Sequence, residues 1–190
     1  MSALGCTRSG PWSPAVNKRL QSGAFLLVAA TAAFAGYYFH RAGLGPAATE
    51  AAVQALMLAP LTDLSGKVQA LSHRRGKVLV VNFWATWCPP CREEIPALVK
   101  VHNKIAKNSI EFVGIALDNA SKVREYADEM KIDYALWIGG PEIFAISKDL
   151  GNSTGVLPFT VVLDRAGKVA YTHVGVLTEL ALDTALQPLL

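Results

Sequence analysis

Two cysteines separated by two prolines are the residues in this sequence best suited to chemistry. Cys88 and Cys91 lie in the segment 87–91 (WCPPC), directly after an apolar run and directly before an amphipathic one. The β-branched run over 78–83 predicts a buried strand, and the segment after the cysteines predicts a helix. A helix N-terminus lowers the pKa of a thiol, because its free backbone N–H groups and its dipole favour an anion. One helical turn also brings both sulfurs within bonding distance.

Two other roles of a cysteine pair fit the rest of the sequence less well. A zinc site needs a second pair of ligands, but the remaining cysteine is Cys6 and the four histidines are scattered along the chain. We therefore expect no metal and no cofactor. A purely structural disulfide across so short a loop would add little stability, because the stabilisation grows with the length of the closed loop. The motif therefore favours redox chemistry.

The rest of the chain alternates between apolar runs and amphipathic segments, which is typical of an α/β domain. Strands are predicted in an edge hairpin over 64–71 and over 77–83, 110–117, 134–138, 159–164 and 168–173. Helices are predicted after Cys91, after the capping residues at 118–121, over 142–150 and after Thr178. Pro96 falls inside the first of these helices and should kink it.

Residues 82–94 (NFWATWCPPCREE) resemble the TlpA/ResA-like, membrane-anchored branch of the thioredoxin superfamily. The similarity runs from about Leu61 to the C-terminus and is strongest between Lys77 and Pro96. The resemblance implies a thioredoxin-like α/β fold, in which helices flank a central mixed sheet, with the TlpA-like insertion of a strand and a helix at about 134–150. It also implies thiol–disulfide exchange on the outer face of a bacterial inner membrane.

The resemblance also implies which residues act. We expect Cys88, as the more exposed sulfur at the helix start, to be the nucleophile, and Cys91 to be the resolving thiol. Glu94 matches the acid that the family carries three residues after its second cysteine, and a buried carboxylate there could take the proton of Cys91. A cis-proline faces the dithiol in this family, and Pro158 is the matching position. The residues expected to contact substrate are Pro158, Leu157 and Trp87.

The residues between the two cysteines bear on the direction of electron flow. Pro89 and Pro90 lack backbone N–H groups, so two donors that could stabilise the Cys88 thiolate are missing. A less stabilised thiolate favours a more reducing couple, and hence a reductase. The alternatives are a periplasmic disulfide oxidase or isomerase, and a non-catalytic thioredoxin-like metallochaperone or binding module.

The partners follow from the resemblance and from the composition. The family implies protein disulfides as substrates, such as the haem-binding cysteines of apocytochrome c or copper-site cysteines, and a transmembrane thiol carrier as electron donor. The 190 residues carry a formal net charge of only +3. The sequence has no basic tract with interleaved aromatic residues and no glycine-rich phosphate loop. We therefore expect no nucleic acid among the partners.

The N-terminal part predicts a single membrane span with the catalytic domain in the periplasm. Residues 23–39 carry no charge, with three firm positive charges before them and one after, which favours a cytoplasmic N-terminus. The predicted organisation is a cytoplasmic segment over 1–22, a transmembrane signal anchor over 23–39, a tether over 40–60 and a thioredoxin-like domain over 61–190. A short helix is expected over 47–58, and the alternative to a tether is that this segment packs on the domain. Cleavage after Ala35, which would release a soluble protein, is the alternative.

Overall fold

The computed structural model describes residues 50–105 and 110–190. The predicted cytoplasmic segment, the membrane anchor, the cleavage site after Ala35 and residues 40–49 of the tether lie outside the described residues. Within the described ranges, no helix is both long and apolar enough to cross a membrane.

A mixed sheet of seven strands forms the centre of the described part of the chain, with the strand order β2-β1-β5-β4-β3-β6-β7. The strands are β1 Leu61–Asp63, β2 Val68–Gln69, β3 Val78–Trp84, β4 Ile110–Ala116, β5 Ala135–Ile138, β6 Phe159–Leu163 and β7 Val169–Val174. The three strands β3, β4 and β5 are parallel, and the other four join them antiparallel. Strand β3 is buried along its whole length, as its continuous apolar run predicts.

Helices cover both faces of this sheet. They are α1 Glu50–Leu58, α2 Pro89–Ile105, α3 Ala120–Met130, α4 Pro141–Asp149 and α5 Glu179–Leu186, with 3-10 turns at Leu71–Arg74 and Gln187–Leu189. Successive residues of β3 alternate between two apolar clusters, because side chains along a strand point to opposite faces. One cluster includes residues of α2, α3 and α5, and the other includes residues of α1 and α4. The predicted mixed sheet with flanking helices is confirmed.

The domain begins earlier than the sequence predicted. Helix α1 buries Ala52, Val53, Leu56 and Met57 in the same apolar cluster as α4. Residues 50–60 are therefore part of the domain, and the boundary at Leu61 is wrong. The prediction of a short helix in this segment is confirmed for residues 50–58. The boundary was misplaced because the alanine-rich segment looks like a linker, although enough of its side chains are apolar to pack.

The sheet and α2 together place the dithiol. Strand β3 ends at Trp84 and α2 begins at Pro89, so the cysteines lie where the C-terminal end of a central strand meets a helix N-terminus. Pro96 lies inside α2, as predicted. The antiparallel hairpin β6–β7 brings the segment before Phe159 to the same end of β3, since Phe83 pairs with Phe159.

The packing of α1 can be tested with two leucines of the same helix. Leu56 is fully buried, whereas Leu58 is 64% exposed. We expect Leu56→Ala to lower the free energy of unfolding by about 2–5 kcal/mol, because it removes a buried side chain and leaves a cavity. The matched control Leu58→Ala should change stability by less than about 0.5 kcal/mol. Urea denaturation measures the stability of both variants. Equal losses in Leu56→Ala and Leu58→Ala would contradict the packing of α1 in the core and favour its assignment to the tether.

Candidate active site

Cys88 and Cys91 form a disulfide with their Cα atoms 5.3 Å apart. Cys88 directly precedes the first residue of α2, and its side chain is the more accessible of the two, although only 4% of it is exposed against 0% for Cys91. The N–H of Cys91 donates to Cys88 Sγ at 3.3 Å. Because prolines fill the first two positions of α2, Cys91 carries the first backbone donor of that helix.

The loop that leads into the dithiol is fixed from the neighbouring strand. Thr86 donates both its N–H, at 3.0 Å, and its hydroxyl to Oδ2 of Asp118, which follows β4. Burial raises the pKa of Asp118, but the hydrogen bonds from Thr86 and from the Asn119 N–H outweigh it, so this pKa lies below its usual value. The cap of α3 is Asn119, which accepts from the Ser121 N–H. Asp118, one of the predicted capping residues, instead holds the active-site loop.

Glu94 lies on the buried face of α2, three residues after Cys91. Its side chain is buried, with 1% exposure. Oε1 accepts a hydrogen bond from Asn82 Nδ2 at 2.6 Å, and Oε2 accepts one from the Leu177 N–H at 2.9 Å. Desolvation raises the pKa of Glu94 to about 7, even though both hydrogen bonds act in the opposite direction. The buried carboxyl group that the sequence predicted is present, and it titrates near neutral pH.

Two partners of Glu94 were not singled out from the sequence. Asn82 is a buried polar residue in the otherwise apolar strand β3, and it also donates to Thr160 Oγ1 of β6 at 3.0 Å. A lone asparagine inside such a run is a signal that could have been used, because buried amides need partners. The Leu177 N–H could not have been found, because a backbone donor leaves no trace in the residue type.

An apolar cavity of about 780 Å³ opens beside Cys88. Among its lining residues are Trp87 of the active-site loop, Pro90 at the start of α2, Phe144 of α4, and Gly155, Val156 and Leu157 of the loop before β6. The lining side chains are apolar apart from the Cys88 sulfur and the indole N–H of Trp87, and the remaining positions are glycines. Such a lining suits an uncharged segment of a ligand. The structure therefore brings Trp87 and Leu157 together with the nucleophile.

The peptide bond between Leu157 and Pro158 is cis, as the resemblance implied. Pro158 is buried, and its carbonyl accepts a hydrogen bond from the Gly175 N–H at 2.8 Å. It is not among the residues that line the cavity. The contact of Pro158 with substrate thus stays a prediction. Elsewhere in residues 50–105 and 110–190, no group of three or more His, Cys, Asp or Glu residues could hold a metal ion.

A redox dithiol at this junction of strand and helix, beside a cis-proline loop, defines the thioredoxin class of thiol–disulfide oxidoreductases. The Redoxin family model matches residues 44–186, and the chain belongs to this family. Within the family it is a TlpA/ResA-like thiol–disulfide oxidoreductase, as its relatives below indicate.

Two curated relatives share much of the chain. Thioredoxin-like protein YneN of Bacillus subtilis is 32% identical over 132 residues, which cover 66% of this chain and 73% of the relative. Thiol-disulfide oxidoreductase ResA of Bacillus cereus is 30% identical over 129 residues, which cover 67% of this chain and 72% of the relative.

Solved structures confirm the thioredoxin-like fold. A thioredoxin-related protein from Neisseria meningitidis serogroup B matches with a TM-score of 0.60 and 35% identity, over 67% of this chain and 96% of that protein. A thiol:disulfide interchange protein from Chlorobium tepidum matches with a TM-score of 0.60 and 31% identity, over 69% of this chain and 94% of that one.

The titration of Glu94 predicts how stability depends on pH. Its folded pKa of about 7 lies above the unfolded value of about 4.3. The stabilisation that comes from the protonated form is therefore complete below pH ~4.3 and is lost as pH rises through ~7. Glu94→Gln removes this titration. Between pH 4.5 and 7.5 we expect the variant to gain stability relative to the parent, on the order of 3 kcal/mol.

Glu93→Gln is the matched control, because Glu93 lies on the same helix but is exposed. Urea denaturation of both variants across this pH range measures the effect. Parallel stability curves for Glu94→Gln and the parent would contradict the raised pKa.

Proposed function

We propose that this chain is a reductase of protein disulfides, held in a bacterial inner membrane by one N-terminal span with its catalytic domain in the periplasm. The single observation that supports reduction rather than oxidation is the start of α2. One backbone N–H, that of Cys91, reaches Cys88 Sγ, because Pro89 and Pro90 have none to give. A weakly stabilised thiolate gives a more reducing dithiol, which favours electron transfer to the substrate.

The reaction transfers two electrons and two protons from the dithiol to the substrate. The Cys88 thiolate attacks one sulfur of the substrate disulfide, so that this bond breaks and the first substrate thiolate leaves and takes up a proton. Cys91 then loses its proton, attacks Cys88 Sγ and releases the second substrate cysteine as a thiol. The protein is left with the Cys88–Cys91 disulfide, which is the form that the structure contains.

Glu94 serves the second half of this reaction. With a pKa of about 7 it is present in both protonation states at neutral pH, so it can accept a proton and release it again. Its position one helical turn after Cys91, on the buried face of the same helix, suits it to take the proton of the resolving thiol. Its hydrogen bonds to Asn82 and to the Leu177 N–H keep the carboxylate in place between turnovers.

The location rests on the N-terminal sequence and on the relatives. The uncharged run over 23–39 follows three positive charges, which favours an N-terminus in the cytoplasm. A similar structure, 25% identical with a TM-score of 0.61, is described as a secreted thiol-disulfide isomerase from Corynebacterium glutamicum. In such a compartment the substrates we propose are the haem-binding cysteines of apocytochrome c or copper-site cysteines. A transmembrane thiol carrier would return the electrons.

The direction of electron flow is tested by the reduction potential of the Cys88–Cys91 couple. We expect a value nearer the ~−270 mV of thioredoxin than the ~−120 mV of a strong oxidant. Pro90→Ala restores one N–H in the first turn of α2, and it should raise the potential by roughly 30 mV if that group donates to the thiolate.

Pro96→Ala, a change in the same helix but farther from the sulfurs, is the matched control. Equilibration with glutathione or dithiothreitol buffers measures the reduction potentials of the parent, Pro90→Ala and Pro96→Ala. A parent potential close to that of the strong oxidant would overturn the reductase in favour of an oxidase.

The location is tested by fractionating cells that produce the full chain. We expect the protein to sediment with the membranes, to resist extraction by alkaline carbonate, and to be digested by protease added to spheroplasts. The physical reason is that an uncharged, apolar run of this length can span the hydrocarbon core of a bilayer. A chain that begins at Gly36, found in the soluble periplasmic fraction, would show cleavage instead.

A further inference from the structure

One wall of the cavity beside Cys88 is built from two segments that approach each other unusually closely. Gly155, in the loop before β6, has a φ of +64° and lies against Phe144 of α4. A Cβ added at Gly155 would lie 2.8 Å from Phe144 Cζ and 2.6 Å from Lys148 Cε. A glycine is therefore required at this position both by the backbone and by the close packing. The aromatic ring and the glycine together form a continuous apolar surface.

A buried asparagine holds the loop in this position. Asn152 is buried, and its Nδ2 donates to the Val156 carbonyl at 2.9 Å while its Oδ1 accepts from the Val156 N–H at 3.1 Å. The Gly155 N–H donates to the Asn152 carbonyl at 2.8 Å. Asn152 is also joined to α4, because its N–H donates to the carbonyl of Ser147 at 3.0 Å. These bonds satisfy a buried amide and fix the loop relative to α4.

We propose that the wall formed by Phe144, Gly155 and Val156 is the subsite that determines substrate specificity, and that Asn152 is the residue that positions it. The occupant is an uncharged, apolar side chain next to the cysteine that Cys88 attacks. This inference rests on the proposed protein substrate. It goes further by naming the chemistry of the segment around the reacting cysteine.

The position of the cavity supports this occupant. Cys88 is itself one of the lining residues, so a substrate sulfur that reaches it brings its neighbouring residues against the same walls. Among the lining side chains, the hydrogen-bonding groups are the Cys88 sulfur and the indole N–H of Trp87. A polar side chain against Phe144, Gly155 and Val156 would lose its hydrogen bonds to water without a side-chain partner in that wall. A leucine would exchange water for apolar contacts.

The test uses synthetic peptides that each contain one internal disulfide. They differ only in the residues on both sides of one cysteine, which are leucine in the first peptide and the similarly shaped but polar asparagine in the second. Rates of reduction by the reduced full chain are measured against peptide concentration. We expect the parent to prefer the leucine peptide by about 10-fold or more in kcat/KM, with the difference in KM rather than in kcat.

Gly155→Ala should weaken this preference, because the added methyl group displaces the ring of Phe144. Gly167→Ala is the matched control, since Gly167 also has a positive φ, of +78°, but a Cβ there meets no atom within 4 Å. This control should keep the preference of the parent. Phe144→Ala enlarges the subsite, and we expect it to shift the preference from leucine toward a peptide with tryptophan at the same positions, again through KM.

Asn152→Asp tests the positioning residue. It keeps the acceptor for the Val156 N–H but loses the donor to the Val156 carbonyl. Compared with the parent, we expect the variant to have a smaller ratio of kcat/KM for the leucine peptide to kcat/KM for the asparagine peptide, and the change should lie in KM. The reduction potential of the Cys88–Cys91 couple should stay unchanged. A change in kcat for both peptides by the same factor would show a merely structural role and would overturn the assignment of Asn152.

The outcomes separate this inference from the proposed function. Equal KM values of the parent for the leucine and asparagine peptides would contradict the proposed subsite. So would a loss of kcat/KM in Gly155→Ala that is equal for the two peptides. Failure of the reduced parent to reduce either peptide would instead contradict the reductase. In that case the same ratios are measured in reverse, with the oxidised chain and the dithiol forms of the peptides. The mixed disulfide is the same in both directions, so the subsite is tested either way.

Discussion

The burial of one carboxyl group joins three parts of the chain that lie far apart in sequence. Glu94 of α2 accepts hydrogen bonds from Asn82 of β3 and from the backbone of Leu177, which precedes α5. Desolvation of a carboxylate is costly, so the carboxylate form depends on these donors and the protonated form is favoured up to neutral pH. Ionisation of Glu94, the carboxyl group proposed to transfer the proton, is therefore expected to lower the free energy of unfolding.

The proposed proton chemistry and the proposed substrate contacts of the site fall on different residues. Glu94 belongs to the apolar side of the sheet that α2 covers, together with Cys91. The cavity instead uses Trp87, the residues around Gly155, and Phe144 of α4. Cys88 is the residue that both regions share, since it lines the cavity and bonds to Cys91. This separation lets the substrate preference change without altering how the resolving thiol loses its proton.

The sequence predicted those features of the site that depend on residue type and short spacing. The strand before the cysteines and the helix after them follow from local patterns, and the resemblance added the buried acid one turn later and the cis-proline. Residues brought together from distant segments were not found in this way. The meeting of Phe144 and Gly155 depends on how α4 packs against a loop, and the bond from Leu177 depends on a turn after β7. Helix α1 was taken for a tether because alanines give little periodic contrast.

Helix α1 lies in the same apolar cluster as α4, and α4 carries Phe144 of the cavity wall. Helix α1 is thus packed in the same part of the domain as the cavity wall. This shared packing limits where a different N-terminal segment can be joined to the domain. An exchange of N-terminal attachments between relatives preserves the substrate wall when the junction lies before Glu50. A junction at Leu61 would separate α4 from a helix that packs in the same apolar cluster, so a transfer that keeps the packing of the cavity wall includes α1.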